Sequence, residues 1–160
     1  MNDAAARDPI AEHCKSQLLQ RVGVADTDMM GVVHHGSYIA YFERARLEYM
    51  RRRQLPYKRL VERGFHLPVV ELNVRYRKPA RFDDLLTVET RLGALSRVTV
   101  RFDYQIRLAA SEPGVSTSGD LLLEAHVVLA CIDAGGKPRP LPQDAVQVLL
   151  SPEPLMEAHS

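Results

Sequence analysis

The sequence has no surplus of charge of either sign, and this excludes one class of protein. Its 160 residues carry 21 basic and 20 acidic side chains, which gives a formal net charge of +1 at pH 7. A nucleic-acid-binding domain usually shows a clustered basic surplus. The only dense basic run is 51–53, and it is typical of the solvated end of a helix, where cations suit the helix dipole. Binding to nucleic acid is therefore not expected.

Cysteine is scarce, and long hydrophobic segments are absent. Cys14 and Cys131 are the two cysteines, and they lack the paired spacing of a metal site. No apolar signal segment stands at the N-terminus, and no apolar run approaches the roughly 18 residues that cross a bilayer. We therefore expect two free thiols, a cytoplasmic location and no membrane span.

The length and composition are those of one globular domain. Hydrophobic residues make up 46% and charged residues 26%, which is average for a folded domain and excludes wholesale disorder. A chain of 160 residues is long enough for one sizeable core and short for two. We expect an N-terminal arm over 1–15, the domain over 16–150 and a C-terminal tail over 151–160.

Alternating apolar residues predict five strands. They cover 16–24, 68–78, 85–92, 98–108 and 121–131. An apolar residue at every second position is the pattern of a strand with one buried face. The last four strands have no helical crossover between them, which favours an antiparallel meander. Residues 144–150 form either a closing helix or the end of a strand.

One amphipathic helix begins near Ser37, which we predict as its N-cap. Its apolar stripe consists of Tyr38, Tyr41, Phe42, Ala45 and Tyr49. Glu43 lies opposite this stripe and is expected in solvent. Pro56 ends the helix, and a short second helix over 57–63 stops at Gly64.

These elements predict an α+β fold. The apolar face of the sheet needs a partner of its own size, and the aromatic helix is the only candidate. We therefore predict a curved antiparallel sheet of about five strands wrapped around a central helix. The outer face of the sheet is expected to pack against a second copy of the chain.

The loop before the helix concentrates polar side chains. Within 25–38 stand Asp26, Asp28, Gly31, His34, His35 and Gly36. Glycines and small polar residues break both periodicities, which indicates a shaped loop. Its aspartates are either turn-formers bonded to local backbone or a reactive carboxylate beside the free amides of a helix start. Asp and His also ligate zinc or iron, but the usual His spacings are absent and no metal is expected.

The loop and several later segments resemble a known family. Asp26-Thr27-Asp28-x-x-Gly31-Val32-Val33-x-His35-x-Ser37-Tyr38, followed by Tyr41-Phe42-Glu43-Arg44-Ala45-Arg46, is similar to the 4-hydroxybenzoyl-CoA thioesterase family of hot-dog-fold proteins. The similarity is closest to the short acyl-CoA thioesterases associated with bacterial Tol–Pal systems. Segments 76–84, 123–126, 131–133 and 137–142 fit in order, so the resemblance covers roughly residues 17–142.

The resemblance implies a cofactor-free hydrolase that cleaves an acyl-CoA thioester. It also implies a homodimer or homotetramer with sites at subunit interfaces. Asp28 matches the family's catalytic carboxylate, acting as general base or as nucleophile. His35 matches a position that contributes to the site at the helix start, and Gly31 matches the glycine that lets the loop backbone approach the thioester.

Further residues are expected to bind substrate. The candidates are Gly31, His34, Gly36, Ser37, Arg77, Lys78 and Arg81. The basic side chains either meet CoA phosphates through charge-assisted hydrogen bonds or are solvated at a sheet edge. His34 forms either a pocket wall or part of the surface loop. Met29 and Met30 stand where the family usually carries small residues or proline, and their bulk would narrow the acyl pocket.

Two other functions fit the same residues. A dehydratase or hydratase acting on an acyl thioester would use Asp28 and His35 as a proton-transfer pair. A non-catalytic acyl-CoA-binding module would bind the ester without turnover. The loop resembles the thioesterase pattern better than either alternative, although fold alone does not decide function.

Overall fold

In a computed structural model that describes residues 10–109 and 119–155, five strands form one antiparallel sheet. They are β1 (Lys15–Arg21), β2 (Val69–Tyr76), β3 (Leu85–Leu95), β4 (Thr99–Leu108) and β5 (Leu121–Ala130). Their order across the sheet is β1-β3-β4-β5-β2. Strands β3, β4 and β5 form the predicted meander. The prediction is wrong for β2, which pairs with β5 at the opposite edge from β1 and not with β3, the next strand in the chain.

The concave side of the sheet holds the long helix. The helices are α1 (His35–Arg52), α2 (Tyr57–Glu62) and α3 (Gln143–Leu149), so the segment near 144–150 is a helix. All five residues of the predicted aromatic stripe are buried. The Phe42 ring lies 4.7 Å from that of Tyr104, and the Tyr49 ring lies 5.4 Å from that of Phe102. This confirms the predicted α+β arrangement of a sheet around a helix.

The prediction that Ser37 caps α1 is wrong. The helix begins at His35, and the cap is His34, whose Nδ1 accepts a hydrogen bond from the Gly36 N–H at 3.0 Å. Ser37 lies in the first turn, where its hydroxyl donates to the backbone carbonyl of Asp26 at 2.9 Å. A histidine ring here takes the place usually held by a short polar side chain, so cap preferences alone favoured the wrong residue.

Strand β2 is less buried than its alternating sequence predicted. Val70, Leu72 and Tyr76 are 60%, 39% and 56% exposed. Helix α1 packs against β1, β3 and β4, and among the described residues β2 pairs only with β5. The prediction of a buried apolar face is therefore wrong for β2 in the single chain, because most of this edge strand has no helix over it. Its last residue, Tyr76, does lie against Tyr38 of α1.

A buried arginine ties both ends of the described chain to α1. The guanidinium of Arg53 lies 3.6 Å from the centre of the Tyr49 ring. It donates to the Lys15 carbonyl at 3.0 Å, the Ser16 hydroxyl at 2.7 Å and the Ser151 carbonyl at 2.9 Å. The start of the predicted tail and the first strand are therefore joined through one side chain.

Both cysteines are buried and free, as predicted. Burial raises the pKa of the Cys14 and Cys131 thiols, so both remain neutral core side chains. Within the described part of the chain, no helix combines the length and the apolar character that a bilayer crossing requires.

Candidate active site

The polar loop before α1 folds into a small hairpin. Thr27 pairs with Val33, and the Asp28 N–H donates to the Val32 carbonyl at 2.9 Å. Gly31 turns the chain with a φ of 77°, in the left-handed region that glycine enters freely. A Cβ at Gly31 would meet no atom within 4 Å. The backbone conformation, rather than crowding, is therefore what favours glycine at this position.

Asp28 shapes its own turn with one carboxylate oxygen. Oδ1 accepts hydrogen bonds from the Met30 N–H at 2.8 Å and the Val32 N–H at 3.4 Å. The turn-forming role that the sequence allowed is therefore present. Because both bonds use Oδ1, the acceptor capacity of Oδ2 is kept. Turn formation and a chemical role thus use different oxygen atoms of the same side chain.

The exposed Asp28 side chain lines an open groove of about 400 Å³. The lining residues are Asp28, Val33, His35, Tyr38, Tyr76, Arg77, Lys78 and Pro79. One wall is the hairpin and the start of α1, and the other is the end of β2 with the residues after it. A bridge between Val32 and Arg81 joins the two walls. The structure therefore brings Asp28 and His35 together with Arg77 and Lys78.

Sequence reasoning missed four of these residues as members of the site. Val33 and Pro79 were not singled out, and Tyr38 and Tyr76 were assigned to the helix stripe and a strand face. The two tyrosine rings lie 5.8 Å apart. Tyr38 accepts a hydrogen bond from the Ala80 N–H at 3.3 Å, and burial raises the pKa of its phenol. All four residues belong to segments of the family resemblance, which was the available signal.

The first turn of α1 leaves one backbone donor available. The Gly36 N–H donates to the His34 ring, and the Ser37 N–H donates to the His34 carbonyl at 2.9 Å. Among the described residues, the His35 N–H has no acceptor. This N–H lies at the positive end of the helix dipole, and His35 is one of the residues that line the groove. A developing negative charge in the groove can therefore be met by this amide.

The predicted basic residues differ in their placement. Arg77 pairs with Glu124 at 2.8 Å, and Lys78 pairs with Asp120 at 3.1 Å. Both line the groove, whereas Arg81 is exposed and lies outside its lining. A contact between any of the three and substrate stays a prediction.

The other loop candidates are not among the groove-lining residues; they are Gly31, His34, Gly36 and Ser37. The His34 and His35 rings lie 4.0 Å apart with an angle of 32° between their planes. Gly36 sits against the cap, since a Cβ there would lie 3.1 Å from His34 Nδ1. Met29 and Met30 are exposed and are not among the groove-lining residues. A substrate contact by any of these residues, or by Ser37, stays a prediction.

The aspartates and histidines of the loop do not converge on one point. Asp26 accepts a hydrogen bond from the Tyr41 hydroxyl at 2.8 Å, and His34 caps the helix. Over residues 10–109 and 119–155, no three His, Cys, Asp or Glu side chains are grouped in a way that could hold a metal ion.

Comparison with known proteins decides the family. Residues 22–149 match the sequence profile of the Thioesterase-like superfamily. The chain belongs to this superfamily. A curated relative, the acyl-CoA thioester hydrolase YbgC of Escherichia coli O6:H1, is 35% identical to this thioesterase-like protein over 127 residues, which are 79% of this chain and 89% of the relative.

Solved structures agree with this assignment. Hypothetical protein TT1821 from Thermus thermophilus superposes on the thioesterase-like protein with a TM-score of 0.73 and 37% identity, covering 84% of this chain and 95% of that one. Slr0204, a 1,4-dihydroxy-2-naphthoyl-CoA thioesterase from Synechocystis, superposes with a TM-score of 0.75 and 26% identity, covering 85% of this chain and 95% of that one. The predicted family, hot-dog fold and thioester hydrolase class are confirmed, and the likeness to YbgC fits the predicted Tol–Pal-associated subgroup.

Proposed function

We propose that the protein hydrolyses an acyl-CoA thioester to a free acid and CoA, with Asp28 as the catalytic carboxylate. The observation that carries this proposal is that Asp28 and the start of α1 line one groove. The substrate class is supported by relatives described as an acyl-CoA thioester hydrolase and a 1,4-dihydroxy-2-naphthoyl-CoA thioesterase.

The start of α1 supplies the electrostatic part of the proposed reaction. Attack on a thioester carbonyl carbon leaves negative charge on the carbonyl oxygen. The His35 N–H is the donor we assign to that oxygen, since its neighbours in the first turn bond to His34. One well-placed donor of this kind is worth about 3 kcal/mol of the barrier.

Asp28 supplies the proton acceptor or the nucleophile. As a base, Oδ2 takes a proton from a water whose oxygen forms the new C–O bond, the C–S bond breaks, and the CoA thiolate is then protonated. As a nucleophile, the same oxygen displaces CoA to give a mixed anhydride, which water hydrolyses. In either route Oδ1 continues to hold the turn. We assign the orientation of the water to the His35 ring, since His35 lines the groove.

Arg77 and Lys78 are the groove cations that we assign to CoA phosphates. Their present partners, Glu124 and Asp120, form exposed ion pairs, which contribute little to stability. Exchanging an exposed carboxylate for a phosphate therefore costs little, while the charge-assisted bond to the phosphate adds affinity.

Thiol release is the experiment that tests this function. Short, long and aromatic acyl-CoAs are incubated with the protein, and a chromogenic disulfide reports free CoA. We expect turnover of at least one of these esters. An enoyl-CoA run in parallel separates the alternatives, since loss of enoyl absorbance without thiol release indicates a hydratase. Binding of the esters with no turnover at all indicates a binding module.

The exposed edge of β2 is the surface that we assign to a homodimer. Apolar side chains such as Leu72 lie on a strand whose only described partner is β5. Such an edge is a template for pairing with another strand, and a second copy pairing there would cover it. A homotetramer would add contacts on the outer face of the sheet.

Leu72→Asp is expected to weaken the dimer at least about a hundredfold, because each dimer would bury two unpaired carboxylates. Leu19→Asp is the matched control, since Leu19 is exposed on the opposite edge strand. Sedimentation velocity over a range of concentrations gives the mass and the dissociation constant of each variant. A monomeric wild type, or equal dissociation constants for the two variants, would contradict the assigned surface.

We also propose the cytoplasmic location that the sequence predicted. Its support is that Cys14 and Cys131 are both free thiols, as is usual for proteins of a reducing compartment.

A further inference from the structure

Asp26 lies two residues before Asp28 and accepts hydrogen bonds from four separate groups. Its Oδ2 accepts hydrogen bonds from the Gly23 N–H at 2.9 Å and the Tyr41 hydroxyl at 2.8 Å. Its backbone carbonyl accepts from the His34 N–H and from the Ser37 hydroxyl, both at 2.9 Å. One residue therefore contacts both strands of the hairpin base and the first two turns of α1.

These bonds enclose the hairpin that carries Asp28. The contact from Asp26 to His34 closes its base, and the contact to Tyr41 fixes that base against the helix. His35, whose N–H is the assigned donor, directly follows His34, which makes the closing contact. The separation between the Asp28 carboxylate and this amide is therefore set by how Asp26 is held.

Tyr41 is suited to hold Asp26 in place. Its side chain is buried, and burial, followed by the hydrogen bond to Asp26, raises the pKa of the phenol. The hydroxyl therefore remains protonated, and so remains a donor, at and above neutral pH. Neither Asp26 nor Tyr41 is among the groove-lining residues, so neither is expected to touch substrate.

We propose that Asp26 and Tyr41 are positioning residues for thioester hydrolysis, and that Asp26 acts by accepting two hydrogen bonds at Oδ2 rather than by its charge. This inference rests on the proposed function of Asp28. It separates the two aspartates of the motif by mechanism, because asparagine can replace the acceptor oxygen of Asp26 but cannot replace the charge of Asp28.

Three single variants and one double variant test the proposal by thiol release. Tyr41→Phe and Asp26→Ala are each expected to lower kcat roughly ten- to a hundredfold with KM within about twofold, as a displaced reacting group does. Asp26→Asn keeps an oxygen for both donors and is expected to stay within about threefold of wild type. The double variant Asp26→Ala/Tyr41→Phe is expected to be no slower than the slower single variant, because the two residues act as one unit.

Tyr49→Phe is the matched control. Tyr49 is a buried tyrosine of the same helix, and its hydroxyl donates to the Leu149 carbonyl at 2.7 Å, away from the hairpin. It is expected to lose a similar amount of stability with an unchanged kcat. Amide hydrogen exchange adds a structural measurement, since Tyr41→Phe is expected to accelerate exchange at the His34 N–H and Tyr49→Phe is not.

The outcomes separate this inference from the proposed function. If Asp26→Asn is as slow as Asp26→Ala, Asp26 acts through its charge and the inference is wrong. If Tyr41→Phe matches Tyr49→Phe in kcat, or leaves exchange at His34 unchanged, the pair does not position the loop. If the wild-type protein releases no thiol from any ester, the proposed function is wrong, and the positioning role is wrong with it. If the wild-type protein is active and the Asp26 and Tyr41 variants are fully active, only the positioning role is wrong.

Discussion

Asp28→Asn is expected to lower kcat for thioester hydrolysis at least about a hundredfold, since removing a general base or nucleophile typically costs this much or more. The fold is expected to remain intact. The Oδ1 of asparagine can still accept from the Met30 and Val32 amides, as the aspartate does. The substitution therefore removes the charge without removing the turn. Thiol release at saturating ester, measured beside thermal unfolding of the same samples, separates the two effects.

Asp133 offers a control with the same local geometry. Its Oδ1 accepts from the Gly135 N–H at 2.8 Å and the Lys137 N–H at 3.0 Å, at the same sequence offsets as in the Asp28 turn. Asp133 follows the carboxyl end of β5, whereas the groove residue Tyr76 pairs with Leu123 near the amino end of that strand.

Asp133→Asn is therefore expected to leave kcat unchanged. The two turns differ in what surrounds them, since only Asp28 lies beside the groove and the start of α1. Equal kcat for wild type and Asp28→Asn would mean that Asp28 only forms the turn. An equal loss of kcat in Asp28→Asn and Asp133→Asn would mean the same.

Arg53→Met is expected to lower the free energy of unfolding by about 3 kcal/mol, because backbone carbonyls in the interior lose their donors. Arg53 is 4% exposed, and it donates to the Lys15, Tyr49 and Ser151 carbonyls. Methionine fills similar space, but it leaves the three carbonyls without the donors that Arg53 supplies. For a chain of this size the loss corresponds to a fall in Tm of roughly 6–12 °C.

Arg51→Met is the matched control for this loss. The Arg51 side chain is 61% exposed and pairs with Glu48 at 2.7 Å, and exposed pairs of this kind contribute at most about 1 kcal/mol. The loss in free energy of unfolding for Arg53→Lys is expected to lie between those for Arg51→Met and Arg53→Met, because an ammonium cannot donate in the fork that a guanidinium forms. Thermal and denaturant unfolding measure all three variants. A common midpoint for Arg51→Met and Arg53→Met would mean that Arg53 does not join the chain ends.

Periodicity predicted the elements of the fold because it is a local property. The stripe from Tyr38 to Tyr49 is buried along its length, and the alternating segments became the strands of the sheet. Periodicity did not show how far α1 extends across the sheet. The apolar side of β2 was therefore assigned to the interior, although Leu72 and Tyr76 are partly exposed at the edge.

The sequence also predicted the loop and the resemblance carried by Asp28, Gly31 and His35. It did not determine that His34 caps α1, because cap preferences favour Ser37 and the ring's contact depends on the path of the hairpin. That contact decides which amide of the first turn remains a donor. No local pattern contains this information.

The sequence by itself determined the strands, the buried stripe, the family and the loop that carries Asp28, since each depends on residues close together in the chain or on a motif read in order. The tertiary structure decided that Arg77 and Lys78 share a groove with Asp28, that Arg53 joins the segments at Lys15 and Ser151, and that the edge of β2 is uncovered in the described part of the chain. Each of these depends on contacts between segments tens of residues apart, and such contacts exist only once the sheet has closed around its helix.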